Sequence, residues 1–254
     1  TFGDEMDRGF FLRDGGYYFA LSDYVDLALT GEIYTKGSWG LSARSAYRKR
    51  YKYSGNFNAS LLTTILGDKV VPQEYSKSKD FKITWTHSQD AKANPYRSFS
   101  ASVNFATSSY DRNQLTNIYN QNSTSNTKGS SVSLSQRFPN SPFSLSATMN
   151  VNQRSRDSSI SVTLPDVSIT MSRIYPFKRK HAVGSEKWYE KISMSYSGYL
   201  RNSIDTKENK LMQSSLVKDW RNGMQHNIPI SATFTFLKYI NISPSFNYTE
   251  RWYT

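Results

Sequence analysis

Apolar and polar residues alternate with a period of two along most of this chain, and that period limits what it can fold into. Val25, Leu27, Leu29 and Ile33 alternate with Asp26, Ala28, Thr30 and Glu32. Trp39, Leu41, Ala43 and Tyr47 alternate with Gly40, Ser42, Arg44 and Arg48, and Phe57, Ala59, Leu61 and Ile65 with Asn56, Asn58, Ser60 and Thr64. Successive side chains on a strand point to opposite faces, so each such segment presents one apolar and one polar face. The pattern recurs over 81–86, 98–105, 132–138, 143–151, 160–164, 192–200, 228–236 and 240–248. Pro165 shifts the phase, and Val167, Ile169 and Met171 carry the apolar face afterwards. That predicts a bulge or an interrupted strand. With 9–22 and a weaker segment at 211–218, about thirteen strands are expected.

Alternating strands suit either a soluble sandwich or a membrane barrel. Sandwich strands run to about 5–6 residues around a dry core, whereas a tilted strand crossing a bilayer needs about 9–11. The lengths here fit the barrel, and the polar face is built from Ser, Asn and Thr, which suits a hydrated lumen. Mean hydropathy is only −0.64, which a barrel tolerates because only every second residue meets lipid. Aromatics reach 15%, which argues against a disordered polar segment. The expected fold is an all-β, antiparallel transmembrane outer-membrane β-barrel, with residues 1–254 forming part of a single barrel domain. Such barrels have short periplasmic turns and longer external loops. That rule puts the polar stretch 108–128 outside the cell, and counting puts 173–187 on the periplasmic side despite its length. A short turn is expected at Leu237-Lys238-Tyr239. Tyr17, Tyr18, Tyr51, Tyr53, Trp188, Tyr189, Trp252 and Tyr253 fall at expected strand ends, as an interfacial aromatic girdle would.

The chemistry-bearing residues are sparse. There is no Cys, and His87, His181 and His226 are far apart with no metal-ligand spacing among them. No nucleophile elbow, P-loop or dinucleotide fingerprint is present, so no catalytic residue, cofactor or metal is expected. His87 shares the phase of Phe81, Ile83 and Trp85, which places it at a membrane interface. A net charge of +12 predicts polyanionic partners. The run Arg48-Lys49-Arg50-Tyr51-Lys52-Tyr53 straddles a strand end, where cations meet lipid head groups, and nucleic acid is not expected. Cations in the polar phase, Arg44, Arg48, Lys52, Lys82, Arg137, Arg154 and Lys191, point into the lumen if the other phase meets lipid. There they could hold phosphate groups by charge-assisted hydrogen bonds. A self-contained porin or adhesin barrel, with 108–128 as a binding loop, is the alternative.

Some segments carry more than a pattern. Residues 8–27, from Arg8-Gly9-Phe10-Phe11 through Gly15-Gly16-Tyr17-Tyr18 to Asp26-Leu27, run on into Gly31-Glu32-Ile33-Tyr34-Thr35-Lys36-Gly37. Together they resemble the start of the barrel domain of the LPS-assembly family LptD (OstA) in its Bacteroidetes form. Pro165-Asp166-Val167-Ser168, Arg173-Ile174-Tyr175-Pro176-Phe177-Lys178 and Ile240-Asn241-Ile242-Ser243-Pro244-Ser245-Phe246 are similar to it as well. The resemblance implies a barrel of about 26 strands that inserts lipopolysaccharide into the outer leaflet of the outer membrane, through its lumen and a lateral gate. It also implies an upstream periplasmic jellyroll, an LptE-like lipoprotein plug and periplasmic Lpt bridge components. By analogy, 9–22 is the second strand, next to the gate, with Gly15, Gly16, Tyr17 and Phe19 as its gate-adjacent residues. The first strand, the jellyroll and the later strands are then expected beyond this stretch, which forms an arc of the larger barrel.

Overall fold

The structure, a computed structural model, describes residues 1–67, 75–113, 127–180, 184, 186–211, 213, 218–236 and 239–253. Twelve strands follow one another in the chain: β1 (Phe2–Glu5), β2 (Gly9–Ser22), β3 (Val25–Tyr34), β4 (Trp39–Lys49), β5 (Tyr53–Leu66), β6 (Ser76–Gln89), β7 (Arg97–Ala106), β8 (Thr127–Arg137), β9 (Phe143–Arg154), β10 (Ser159–Ile174), β11 (Ser193–Lys207) and β12 (Arg221–Ser231). After them come a small hairpin, β13 (Phe234–Phe236) and β14 (Ile240–Ile242), and β15 (Ser245–Tyr253). Each strand of the main sheet pairs antiparallel with the next, and β15 closes the order beside β12, giving an open 13-stranded meander. Two one-turn helices, α1 (Tyr110–Asn113) and α2 (Glu208–Leu211), sit in connections. No helix among the described residues is long and apolar enough to cross a membrane.

The register turns the sequence alternation into two continuous faces. Leu41 lies opposite Leu61, which lies opposite Phe81, while Ala59 links Ala43 to Ile83. The row continues through Trp85 and Val103, Phe99 and Leu134, and Val132 and Met149. A slip of one residue would turn every one of these side chains over, so the pattern fixes the pairing. Tyr17, Ile33, Trp39, Phe57, Leu61, Ile169, Met224 and Phe246 are all exposed on this apolar face. A soluble monomer rarely exposes patches beyond a few hundred Å². Lipid on that face removes the problem, and a continuous ladder leaves few backbone groups unpaired within it.

β10 carries the phase shift at Pro165 as a bulge, with the register breaking between Thr163 and Asp166 against both β9 and β11. Pro229, which has no N–H to give, sits in β12 where its ladder to β11 is interrupted between Ser197–Asn227 and Met194–Ile230.

The thirteen-strand count holds, but its membership differs from expectation. The segment 211–218 is not a strand: Leu211 ends α2, Lys218 lies in a turn, and 212 and 214–217 fall outside the described residues. Residues 228–236 divide between β12 and the hairpin strand β13, so the turn expected at Leu237–Tyr239 joins β13 to β14 rather than two long strands. Of that turn, 237 and 238 lie outside the described residues. β1 precedes β2 and pairs Phe2–Glu5 with Leu12–Gly9, a short strand that sequence alternation did not pick out. Beyond Arg13, β2 has β3 on one side and no strand on the other among the described residues. Tyr17 and Tyr18 lie within β2, opposite Leu29 and Ala28, rather than at a strand end.

The apolar face is not open everywhere. Trp220 and Leu211, from the β11–β12 connection, cover Val151, Ile160, Val162 and Ile204 on β9–β11. Six connections, including 107–126 and 208–220, gather at one end of the sheet, here the loop end. The other end, the turn end, carries 23–24, 50–52, 90–96, 138–142, 175–192 and 232–244.

Candidate functional site

The second face is a polar wall made of small hydroxyls and amides. Facing hydroxyls bond across neighbouring strands: Ser42 to Ser60 at 3.1 Å, Ser100 to Ser133 at 2.7 Å, Ser144 to Thr170 at 2.7 Å and Ser193 to Ser231 at 3.0 Å. These cross-strand pairs stiffen the wall while leaving polar atoms for water or a sugar.

Five of the seven expected cations stand on this wall. Arg44 lies opposite Ala28 and Asn58, Arg48 opposite Ser54, and Lys82 opposite Ser60 and Ala106. Arg137 lies opposite Ser144, and Arg154 opposite Thr127 and Ser159. Arg44, Arg48 and Lys82 share β4 and β6, separated only by β5. Arg137 and Arg154 sit at opposite ends of the wall and join no such group. Lys52 and Lys191 are not on strands: Lys52 belongs to the β4–β5 turn, and Lys191 ends a 3-10 turn, Trp188–Lys191, between β10 and β11. Both lie where the chain reverses, so the period-two rule does not set their direction.

Sequence reasoning missed two cations that the structure places beside Arg44. A depression of about 630 Å³ is lined by Arg8, Arg13, Glu32, Tyr34, Arg44 and Tyr110 among others. Arg13 donates to the Tyr34 hydroxyl at 2.8 Å, pairs with Glu5, and lies 3.9 Å from Glu32 and 4.0 Å from the Phe11 ring centroid. Arg8 is only 2% exposed, donates to the Asn113 carbonyl at 2.6 Å and lies over the Tyr34 ring at 5.3 Å. The register shift between Leu12 and Gly15 hides the phase of Arg13, and Arg8 lies in the β1–β2 turn, outside any strand pattern.

The depression is roofed by the start of the β7–β8 connection. Residues 107–113 fold onto the polar wall, where Tyr110 packs on Leu62 and Ala106 with its ring 5.7 Å from the Lys82 ammonium. Asp80, 3% exposed, anchors them. It accepts hydrogen bonds from Thr107 at 3.0 Å and from Ser109 on Oδ1, and from Asn113 at 2.7 Å and Ser78 at 3.1 Å on Oδ2. A buried carboxylate needs such a full set of donors. The stretch expected as an external loop therefore begins by turning back over the polar wall; 114–126, with Gln121–Asn126, lies outside the described residues.

On β2, Tyr17 and Phe19 belong to the apolar face, their rings 4.7 Å apart and Tyr17 68% exposed. Tyr18 belongs to the polar wall and donates to Asp26 at 3.3 Å. Gly15 lies opposite Gly31 and Gly16 opposite Thr30. A side chain at Gly16 would meet the Leu29 carbonyl at 2.0 Å, so the close approach of β2 to β3 requires glycine there. His87 and His226 are both on the apolar face, opposite Gly55 and Gly198; His181 lies outside the described residues. Among the described residues no three His, Asp or Glu are placed to hold a metal ion.

A protein-family model described as LptD protein matches the chain over residues 1–254. No curated protein matches it.

Proposed function

Because the chain belongs to the LptD protein family, whose role lies in lipopolysaccharide transport and assembly, we propose that its polar wall is part of the passage for lipopolysaccharide. In this reading residues 1–254 are an arc of one outer-membrane barrel domain, and the polar wall lines its lumen. The observation that carries the proposal is the depression where Arg44 stands beside Arg8 and Arg13, with Arg48 and Lys82 farther along the same polar face of β4 and β6. Guanidinium groups bind phosphate oxygens through directed, charge-assisted hydrogen bonds. Sugar hydroxyls exchange bonds with the Ser and Asn rows at little cost, because such rows already face water. No covalent step is involved; the wall lowers the barrier for a charged glycan to leave water by offering a moving set of partners.

The acyl chains need another route, since a polar wall would not hold them. Along the edge of β2 from Asp14 to Ser22 the described sheet has no partner strand on one side, and Tyr17 and Phe19 stand beside that edge on the apolar face. We place the lateral exit there, with Gly15, Gly16, Tyr17 and Phe19 along it. An LptE-like plug and the periplasmic bridge components complete the assembly in this reading.

In vivo photocrosslinking in the full-length protein tests it. A photoreactive residue at Ser42, Arg44, Tyr17 or Phe19 should capture lipopolysaccharide, and one at Leu145, on the outward face of β9, should not. Capture at Leu145 alone, or at none of the five, would reject the passage.

A further inference from the structure

We infer that the apolar face also carries a site at the turn end for one anionic phospholipid of the adjacent leaflet. A hollow of about 550 Å³ lies between the β4–β5 and β6–β7 turns, lined by Lys52, Tyr53, His87, Arg97, Phe99 and Leu134. Its floor is apolar, with Phe99 directly opposite Leu134 in the ladder. Its rim is basic: Lys52 ends the β4–β5 turn, Arg97 begins β7, and both are exposed. The acid of the second turn, Asp90, uses Oδ1 to accept the backbone N–H of Lys92 at 2.8 Å.

His87 is the unusual member, a polar ring in a row of Phe81, Ile83 and Trp85. Its Nδ1 lies 2.8 Å from the Tyr47 hydroxyl, whose oxygen also receives the Trp85 indole N–H at 2.8 Å. An indole nitrogen can only donate, so Tyr47 accepts from Trp85. Its own proton has no other acceptor among the described residues than His87 Nδ1. With the Tyr47 proton given to His87 Nδ1, the Nε2–H is left as a donor at the hollow, its ring stacked on Tyr53 at 6.0 Å and tilted against Phe99 at 5.2 Å.

Two cations and an N–H donor above an apolar floor match a ligand that joins a phosphodiester to acyl chains. A soluble anion would leave Phe99 and Leu134 unused, and a neutral lipid would leave Lys52 and Arg97 unused. Tyrosine and long cations at the boundary between apolar wall and water favour the same placement. The inference requires the apolar face to meet the bilayer. It does not require the polar wall to carry lipopolysaccharide, so failure of the crosslinks above leaves it standing.

Native mass spectrometry of the full-length protein in mild detergent, with added phosphatidylglycerol or phosphatidylcholine, tests it. One phosphatidylglycerol should be retained in preference to phosphatidylcholine. Lys52→Ala and Arg97→Ala should each lower its occupancy about fivefold, as expected for one cation near an anionic head group. His87→Phe should weaken retention as well, while Arg156→Ala, in a turn at the loop end, should not. Lys52→Gln and Arg97→Gln keep most of each aliphatic stem and should repeat the loss if the alanine variants fold poorly. Equal retention of both lipids, or a preference that survives the loss of both cations, would overturn the site. Displacement of the lipid by glycerol phosphate alone would instead make it a free-anion site and overturn the lipid assignment.

Discussion

Two tyrosine hydroxyls on the apolar face reach a histidine that stands opposite a glycine. Tyr47 meets His87 across from Gly55, and Tyr196 meets His226 at 2.7 Å across from Gly198. The glycines make the room. A side chain at Gly55 would come within 2.3 Å of the Tyr47 hydroxyl and 2.4 Å of the Thr86 carbonyl, and one at Gly198 within 2.4 Å of the Tyr196 hydroxyl. Polar rings on a lipid-facing wall are costly unless their hydrogen bonds are met, and each pair meets them internally. Gly55→Ala should therefore displace Tyr47 and cost about 1–3 kcal/mol, the usual range for overpacking a filled site. Gly129→Ala, where the nearest neighbour is Asn152 Oδ1 at 3.6 Å, should stay within about 0.5 kcal/mol. Urea unfolding of the full-length protein refolded into liposomes measures both; equal losses would mean that Gly55 makes no special room. The phase of His87 was legible in the sequence. Its partner was not, because Tyr47 meets it only through the register of β4, β5 and β6.

At the scale of elements, most of the long strands were legible and the connections were not. Local alternation fixes a strand and its faces, so Trp39–Arg48 and Asn56–Ile65 reappear within β4 and β5. Residues 107–113 depend instead on Asp80, a residue about thirty positions earlier whose donors can be counted only after folding. Lys52 and Lys191 show the same limit, since a turn erases the parity that strands preserve. The long β10–β11 connection holds a second anchor of this kind. Glu190, with its side chain 1% exposed, accepts from the Arg179 guanidinium and from the Lys187 backbone N–H at 2.7 Å. These bonds, with Arg179 contributing most, hold its pKa at about 2, well below the usual carboxylate range. A depressed folded-state pKa contributes stability above the unfolded value of about 4.3. That contribution falls away as the pH drops through about 2. Protection of 186–192 from hydrogen exchange, corrected for the intrinsic pH dependence of exchange, should thus decline between about pH 4.5 and pH 2. In Glu190→Gln the same segment should be less protected at neutral pH and show no step in that window. A wild-type profile as flat as the variant's would remove Glu190 as the anchor.

At the scale of the molecule, the sheet is an open arc whose outermost elements, β1 with the free stretch of β2 at one edge and β15 at the other, do not meet. Long unpaired edges invite pairing with further strands. An arc with one apolar and one polar face still has to be oriented in its membrane. The polar connection 107–126 argues that the loop end is external, but 175–192 and 232–244 put two long connections at the opposite end. Parity ties the connections of each end together, because every antiparallel strand carries the chain from one end to the other. If 107–126 is outside, then 155–158 is outside too, and 138–142 and 175–192 are both periplasmic. The chain has no cysteine, so a single introduced thiol reports sidedness without background from this stretch. Arg156→Cys should react with a membrane-impermeant maleimide on intact cells. Asn140→Cys and Lys180→Cys should react only after the outer membrane is permeabilised. Labelling of Lys180→Cys together with Arg156→Cys would break the alternation between β9 and β11. The reverse of the whole pattern would keep the fold but turn it over, and the hollow at His87 would then face the outer leaflet, where lipopolysaccharide itself supplies the phosphates.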